Sequence, residues 1–243
     1  MNTPIDIPAR EIFPDRDSFL KHHCPPKREG SRQRLEKSAE HALSLLNNKG
    51  KLRALLSPVS GEDFKTIFPG EGRNDNPAPL PKVFPKARRL GLFVVTLGEG
   101  VSQEIERLHK KGDFPTAHLL DDAASRAVQD AVSFLEEGTP RESGEASLSY
   151  SPGYCGWHVS GQRKLLARLG AETIGVTLSE GFMMSPVKSA SGVILTGAPE
   201  IHDFTNAYSF CGACENKNCR DRIDRVHHAA EAGAPKARHG NIQ

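Results

Sequence analysis

Ser151-Pro152-Gly153-Tyr154-Cys155-Gly156-Trp157-His158, followed by Ile174-Gly175-Val176-Thr177-Leu178-Ser179-Glu180 and then Ser189-Ala190-Ser191-Gly192, is the part of the chain on which its fold is decided. The Pro-Gly pair makes a tight turn and predicts backbone amides left open toward a ligand. Beside it stand the only tryptophan and one of three tyrosines, so the turn can meet a flat ligand with backbone and ring together. The same residues also suit an aromatic-anchored structural turn, with His158 a hydrogen-bonded structural histidine. Ser160 to Leu169 reads as a short amphipathic helix. Ile174 to Met184 and Ser191 to Leu195 read as strands, separated by Ser185-Pro186-Val187-Lys188-Ser189. Strand alternation places Leu178, Glu180 and Phe182 on one face and Ser179 on the other. Glu180 is then either a ligand-facing carboxylate or a residue of an exposed edge.

Upstream, Leu92-Phe93-Val94-Val95-Thr96-Leu97 is a β-branched apolar run that predicts a buried strand. The Gly98-Glu99-Gly100 that follows lacks the third glycine of a dinucleotide turn. Val101 to Lys111 is a polar helix candidate. His118 to Leu135 carries an i, i+4 stripe of Leu119, Ala123, Ala127, Ala131 and Leu135, flanked by Val128 and Val132. Ser31 caps a predicted helix from Arg32 to Leu46, with Leu35, Ala39, Ala42, Leu43 and Leu46 at helical spacing. Residues 57–90 are rich in proline and glycine and read as irregular, the stretch Phe68 to Pro77 being loop chemistry. Gly138 to Gly144 is a linker. These readings give an extended N-terminal arm over 1–30, one domain over 31–225 with halves at 31–137 and 145–225, and a frayed tail over 226–243.

Bulk properties exclude several classes. Of 243 residues, 32 are Lys or Arg and 30 are Asp or Glu, for a net charge of +2. That balance fits neither a strongly basic nucleic-acid binder nor an acidic disordered chain. Aromatics are only 6%, and no basic stripe interleaved with rings appears. The longest apolar-rich run, Leu90 to Leu97, is far shorter than a membrane span. The opening Met1-Asn2-Thr3-Pro4-Ile5-Asp6 has no basic or apolar leader character, which predicts a cytoplasmic location.

In a reducing compartment, clustered cysteines point to metal. Of the five cysteines, three crowd into Cys211-Gly212-Ala213-Cys214-Glu215-Asn216-Lys217-Asn218-Cys219. The two-residue gap lets two sulfurs face one ion, and the next gap brings Cys219 to the same point. Three neighbouring thiolates repel unless a cation neutralises them. A fourth ligand is expected. Cys155 is the first candidate, and His158, His202, Cys24 or an exogenous ligand are the rivals. Spacing leaves zinc and a 4Fe-4S cluster open, although three compact cysteines with a distant fourth favour iron–sulfur over paired zinc knuckles.

The order of Pro152-Gly153-Tyr154, a short helix, Ile174 to Glu180 and Ser189-Ala190-Ser191-Gly192 resembles the reactivation domain of cobalamin-dependent methionine synthase. That domain carries an Arg-Pro-x-Pro-Gly-Tyr turn, an Ile-Gly-x-x-Leu-Thr-Glu-Ser strand and Ser-x-Ser-Gly in the same order. The likeness is clearest over residues 149–195. Leu120-Asp121-Asp122-Ala123-Ala124-Ser125-Arg126-Ala127 is similar to a helix of small stand-alone relatives.

The resemblance implies an α+β fold with a twisted, mainly antiparallel sheet flanked by helices. It implies an accessory role for a corrinoid methyltransferase or corrinoid protein, whose cob(II)alamin is reduced and then methylated by S-adenosylmethionine. Pro152, Gly153 and Tyr154 inherit the ligand-lining turn, with Tyr154 facing the corrin. Glu180 and Ser191 carry over as site-lining residues. Two departures stand out. The family arginine that holds the carboxylate of S-adenosylmethionine is Ser149 here, so another cation must replace it, with Lys188 and Arg163 as candidates. Cys155 sits where the family has proline, and the three-cysteine run is an addition. Together these predict a metal centre at Cys155, Cys211, Cys214 and Cys219 beside Tyr154, fed by an electron donor protein. No Asp-x-His-x-x-Gly cobalamin motif occurs, so the corrinoid is expected on a partner.

Overall fold

Alternation along the apolar run at 90–97 builds the architecture. Leu90, Leu92 and Val94 enter one hydrophobic core, and Phe93, Val95 and Leu97 enter another on the opposite side. The computed structural model describes residues 2–23, 29–76, 78–203, 221–226 and 228. The run lies in β3 (Arg89–Thr96), at the centre of a five-stranded sheet with β1 (Ile5–Asp6), β2 (Arg53–Val59), β4 (Ala146–Tyr150) and β7 (Ser189–Gly197). The spatial order is β1-β2-β3-β7-β4, and every neighbouring pair is antiparallel. The fold is α+β, as the sequence resemblance implied.

One face of the sheet is covered by α1 (Ala9–Ile12), α2 (Arg16–His23), α3 (Glu29–Lys49), α6 (Glu99–Lys110) and α7 (Phe114–Gly138). The predicted stripe of α7 is buried along its whole length, from Leu119 through Ala123, Ala127 and Ala131 to Leu135. Its small residues allow close approach to the sheet. The other face is covered by α4 (Gly61–Ile67), α5 (Leu80–Val83), α8 (Gly161–Leu169) and the loops around them.

Three segments differ from their sequence reading. The residues read as an extended arm form β1, α1 and α2, because Ile7, Ile12 and Phe19 bury against α3 and α7. The stretch read as irregular begins in β2 and contains α4 and α5. Pro58 masks the strand signal, yet β1 pairs only with Arg53 and Ala54, so Pro58 sits on a free edge where its missing N–H costs no ladder bond. Ile174 to Met184 is not a strand. A 3-10 turn at Ala171–Ile174 precedes a short hairpin of β5 (Thr177–Leu178) and β6 (Met184–Ser185). The Gly175 turn at φ +79° and Phe182 at φ +62° break the alternation. Cys24 and residues 229–243 of the expected tail lie outside the described residues.

Gly192 shows how tightly the central strands meet. A Cβ there would lie 2.2 Å from the Tyr150 carbonyl oxygen and 2.9 Å from the Phe93 ring. Gly192→Ala is therefore expected to lose about 2 kcal/mol by overpacking, read as a lowered urea midpoint with an unchanged m-value.

Candidate functional site

β4 ends at Tyr150, opposite Val193 of β7, so the turn that follows sits at the end of the sheet where β7 enters. The turn closes on itself. Gly153 N–H donates to the Trp157 carbonyl (2.7 Å), Tyr154 N–H to Ser151 (3.2 Å) and Trp157 N–H to Tyr154 (2.9 Å). The amides of Gly153 and Tyr154 are thus spent inside the turn, contrary to the expectation that they stand open. Gly153, Cys155 and Gly156 all take positive φ, at +94°, +50° and +72°. For a cysteine that is an uncommon, locally unfavourable backbone.

Trp157 anchors the turn. It is 1% exposed, meets Phe64 edge-on with centroids 5.6 Å apart, and lies 5.8 Å from Phe68. Gly156 accepts from Asp75 N–H at 2.9 Å, which ties the turn to the 68–76 loop. With its buried end held this way, Tyr154 stands 57% exposed. Cys155 is half-buried against the same core.

His158 is fixed as well. Its backbone N–H donates to Asn74 Oδ1 (2.8 Å), and its Nδ1 accepts from Ser160 N–H (3.2 Å) while meeting Ser160 Oγ at 3.0 Å. An Nδ1 that accepts leaves the proton of the neutral ring on Nε2. A metal-bound histidine needs the opposite arrangement, so His158 is a poor rival to Cys155. His202, a second rival, is fully buried with Nδ1 at 2.7 Å from the Tyr150 hydroxyl.

The β5–β6 hairpin leans on this cluster. Phe182 meets His158 edge-on at 6.4 Å, and the Arg163 guanidinium lies 5.0 Å from the Phe182 centroid. Ser179 closes the tip, accepting from Met183 N–H through its hydroxyl (3.0 Å) and from Phe182 N–H through its carbonyl (3.1 Å). Glu180 is exposed on that tip while Phe182 is buried, so the two do not share a strand face. Beside the hairpin, Met183 and Val187 are each 64% exposed. Ser191 is 3% exposed, opposite Val94 in the sheet. Its Oγ has no hydrogen-bond partner among the described residues, and so little exposure takes it out of any open groove. Pro152 is likewise buried.

Neither proposed cation is free. Lys188 Nζ lies 2.8 Å from both Asp121 Oδ1 and Ser125 Oγ on α7, and Arg163 lies over the Phe182 ring with its Nε 3.8 Å from Glu71 Oε1. The cation at Ser149 is instead Arg222, whose Nη2 is 2.9 Å from Ser149 Oγ, 3.0 Å from Ser149 O and 2.5 Å from Glu136 Oε1. Arg222 lies in a run of alternating charge, Arg220-Asp221-Arg222-Ile223-Asp224-Arg225, which taken alone is the pattern of a solvated helix face. Nothing local signals a contact across so many residues. Cys211, Cys214 and Cys219 lie outside the described residues. Among the described residues, no group of three or more His, Cys, Asp or Glu is placed to hold a metal, and no helix is long and apolar enough to cross a membrane.

The fold is similar to that of a solved structure, the MetH reactivation domain bound to AdoHcy. The two share 15% sequence identity at a TM-score of 0.55, over 96% of this chain and 90% of that one. No family model and no curated protein matches the chain.

Proposed function

We propose that the chain reactivates the corrinoid of a partner methyltransferase or corrinoid protein. The observation that carries this reading is Tyr154, an exposed ring on a turn whose other side is anchored by buried Trp157, with a thiol next to it at Cys155. The likeness in fold to a domain solved with AdoHcy supports it. Tyr154, Met183 and Val187 offer apolar contact to a flat macrocycle. Cys155 with Cys211, Cys214 and Cys219 would hold an iron–sulfur cluster, which supplies one-electron transfer when bound. The half-buried thiol fits a ligand role, since exclusion of water limits loss of the metal and lowers the local dielectric.

The balance is one electron from a donor protein, taking cob(II)alamin to cob(I)alamin. A methyl group from S-adenosylmethionine follows, leaving S-adenosylhomocysteine and methylcobalamin. The exposed Glu180 would line the approach to that methyl donor.

The test is anaerobic purification followed by iron, sulfide and zinc analysis. The protein is then mixed with a corrinoid-loaded methyltransferase and a reduced donor while the cob(II)alamin absorption is followed. A brown protein that accelerates the loss of cob(II)alamin supports the reading. A colourless protein with stoichiometric zinc that still binds the partner leaves a capping module without redox chemistry. Failure to bind any corrinoid protein removes both. Replacing Tyr154 by alanine is expected to weaken partner binding about tenfold or more, as loss of an exposed aromatic anchor does, with no change in melting temperature.

A further inference from the structure

We propose that the cavity between the start of α4 and the segment entering β3 binds a phosphorylated organic molecule of nucleotide size, with its phosphate on Arg88, Arg89 and Lys65 and its apolar body over Val59, Phe84 and Leu90. The site stands apart from the Tyr154 turn, so the inference does not depend on the corrinoid reading.

The cavity measures about 550 Å³, within the range of pockets that enclose a small ligand. It lies where β2 ends and β3 begins, with Val59 and Leu90 facing each other across the ladder. Arg89 and Ser147, near the start of β4, both lie opposite Thr196 of β7. The Tyr154 turn follows the other end of β4. Val59, Phe84 and Leu90 are buried and give the cavity an apolar wall. A bare phosphate ion would fill only a fraction of this volume, whereas an organic body in the remainder takes apolar surface out of water.

Among the described residues that line the cavity are three cations, Lys65, Arg88 and Arg89, and one carboxylate, Glu62. Glu62 is 84% exposed and holds Lys65 Nζ at 2.6 Å, an exposed pair that costs little to open. A phosphate dianion calls for more than one cation, and the guanidinium fork matches its oxygens.

The two arginines are held by carboxylates that stand outside the cavity. Glu142 and Glu145 pair with them, yet neither lines it. Glu145 is only 11% exposed and accepts from Glu142 N–H at 2.8 Å, so it is a fixed anchor. Arg88 meets both carboxylates through Nη1 alone, and Arg89 donates to Glu145 and to the Pro140 carbonyl through its own Nη1. Among the described residues, Nε and Nη2 of Arg88 and Nε of Arg89 donate no hydrogen bond. Guanidiniums placed in advance lose less freedom when a ligand arrives.

The experiment is calorimetric titration of the full chain with three probes: adenosine monophosphate, adenosine and inorganic phosphate. The variants are Arg88→Gln, Arg89→Gln, Lys65→Gln and Gly61→Phe. Gly61 lines the cavity, and a Cβ there meets nothing within 4 Å, so a large side chain can fill the space without straining the fold. Adenosine monophosphate is expected to bind more tightly than either fragment. Its binding should weaken by about tenfold or more in each arginine variant, the loss of one charge-assisted contact, and in Gly61→Phe, with the melting temperature of Gly61→Phe unchanged. Lys65→Gln should weaken it as well, and that exposed change leaves folding intact. No binding of the monophosphate overturns the proposal. Adenosine bound as tightly as its monophosphate overturns the phosphate site, and inorganic phosphate bound as tightly overturns the organic occupant. Full affinity in Gly61→Phe would place the ligand elsewhere. Tyr154→Ala should leave all three titrations unchanged, so the failure of this site and the failure of corrinoid reactivation are read separately.

Discussion

Gly161→Ala is expected to destabilise the protein by about 3 kcal/mol, at the upper end of what overpacking costs. Helix propensity alone predicts the opposite sign, since alanine is better than glycine in a helix by about 1 kcal/mol. Sterics outweigh it. A Cβ at Gly161 would stand 2.3 Å from Trp157 Nε1 and 2.9 Å from Cε2. The indole cannot rotate away, because Phe64 and Phe68 pack on it. Nor can α8 lift, because Leu165, Leu166 and Leu169 are buried under it. Trp157→Ala should cost about 3–5 kcal/mol for the lost ring, and the double variant should cost less than the two changes added. That non-additivity is the signature of a shared contact. Equilibrium unfolding in urea reads all three. A Gly161→Ala protein as stable as the parent would mean that the ring is not seated where the anchor requires it. Because the Trp157 carbonyl accepts from Gly153 N–H, loosening the ring should also loosen Tyr154, and partner binding should fall with stability.

The parts of the fold that were legible in the sequence are those set by local periodicity. Leu92 to Leu97 and the stripe from Leu119 to Leu135 each bury a face that can be counted off along the chain, and both are where they were expected. The misreadings arise where tertiary partners override local cues. Pro58 looks like a strand breaker until its edge position is known. Ile7, Ile12 and Phe19 are too widely spaced to signal a docked segment until α3 and α7 exist to receive them. Leu178, Glu180 and Phe182 alternate as a strand would, but Gly175 and a left-handed Phe182 bend the chain into a hairpin instead. The candidate site divides in the same way. The Pro-Gly-Tyr turn announces itself through residue types with fixed conformational consequences. The join of Arg222 to Ser149 and Glu136 does not, because it spans two distant segments and depends on which residue reaches the outer edge of β4.

Cys155→Gly separates the two roles that Cys155 can have, because the two predict effects of opposite kind. At φ +50° the cysteine occupies a region that costs an L-residue roughly 1–2 kcal/mol and glycine almost nothing. Glycine gives part of that back through its greater freedom when unfolded, about 0.4–1 kcal/mol. The metal-free protein should thus be unchanged or more stable by up to about 1.5 kcal/mol. If Cys155 is only a packed turn residue, that is the whole effect, and metal content stays as it was. If it is the fourth thiolate, the same variant loses its metal. Even a change outside the ligand set costs about 10–100-fold in metal affinity, so removal of a ligand should bring bound iron to background on gel filtration. Cob(II)alamin reduction should fall with it. Cys155→Ser is the companion variant, keeping the left-handed side chain while replacing thiolate with a poor ligand, and it should lose metal without the gain in stability. Retention of full metal by both variants, with loss in Cys24→Ser instead, would make Cys24 the fourth ligand in place of the residue next to Tyr154. The short path from metal to Tyr154, on which the proposed electron transfer depends, would then be gone.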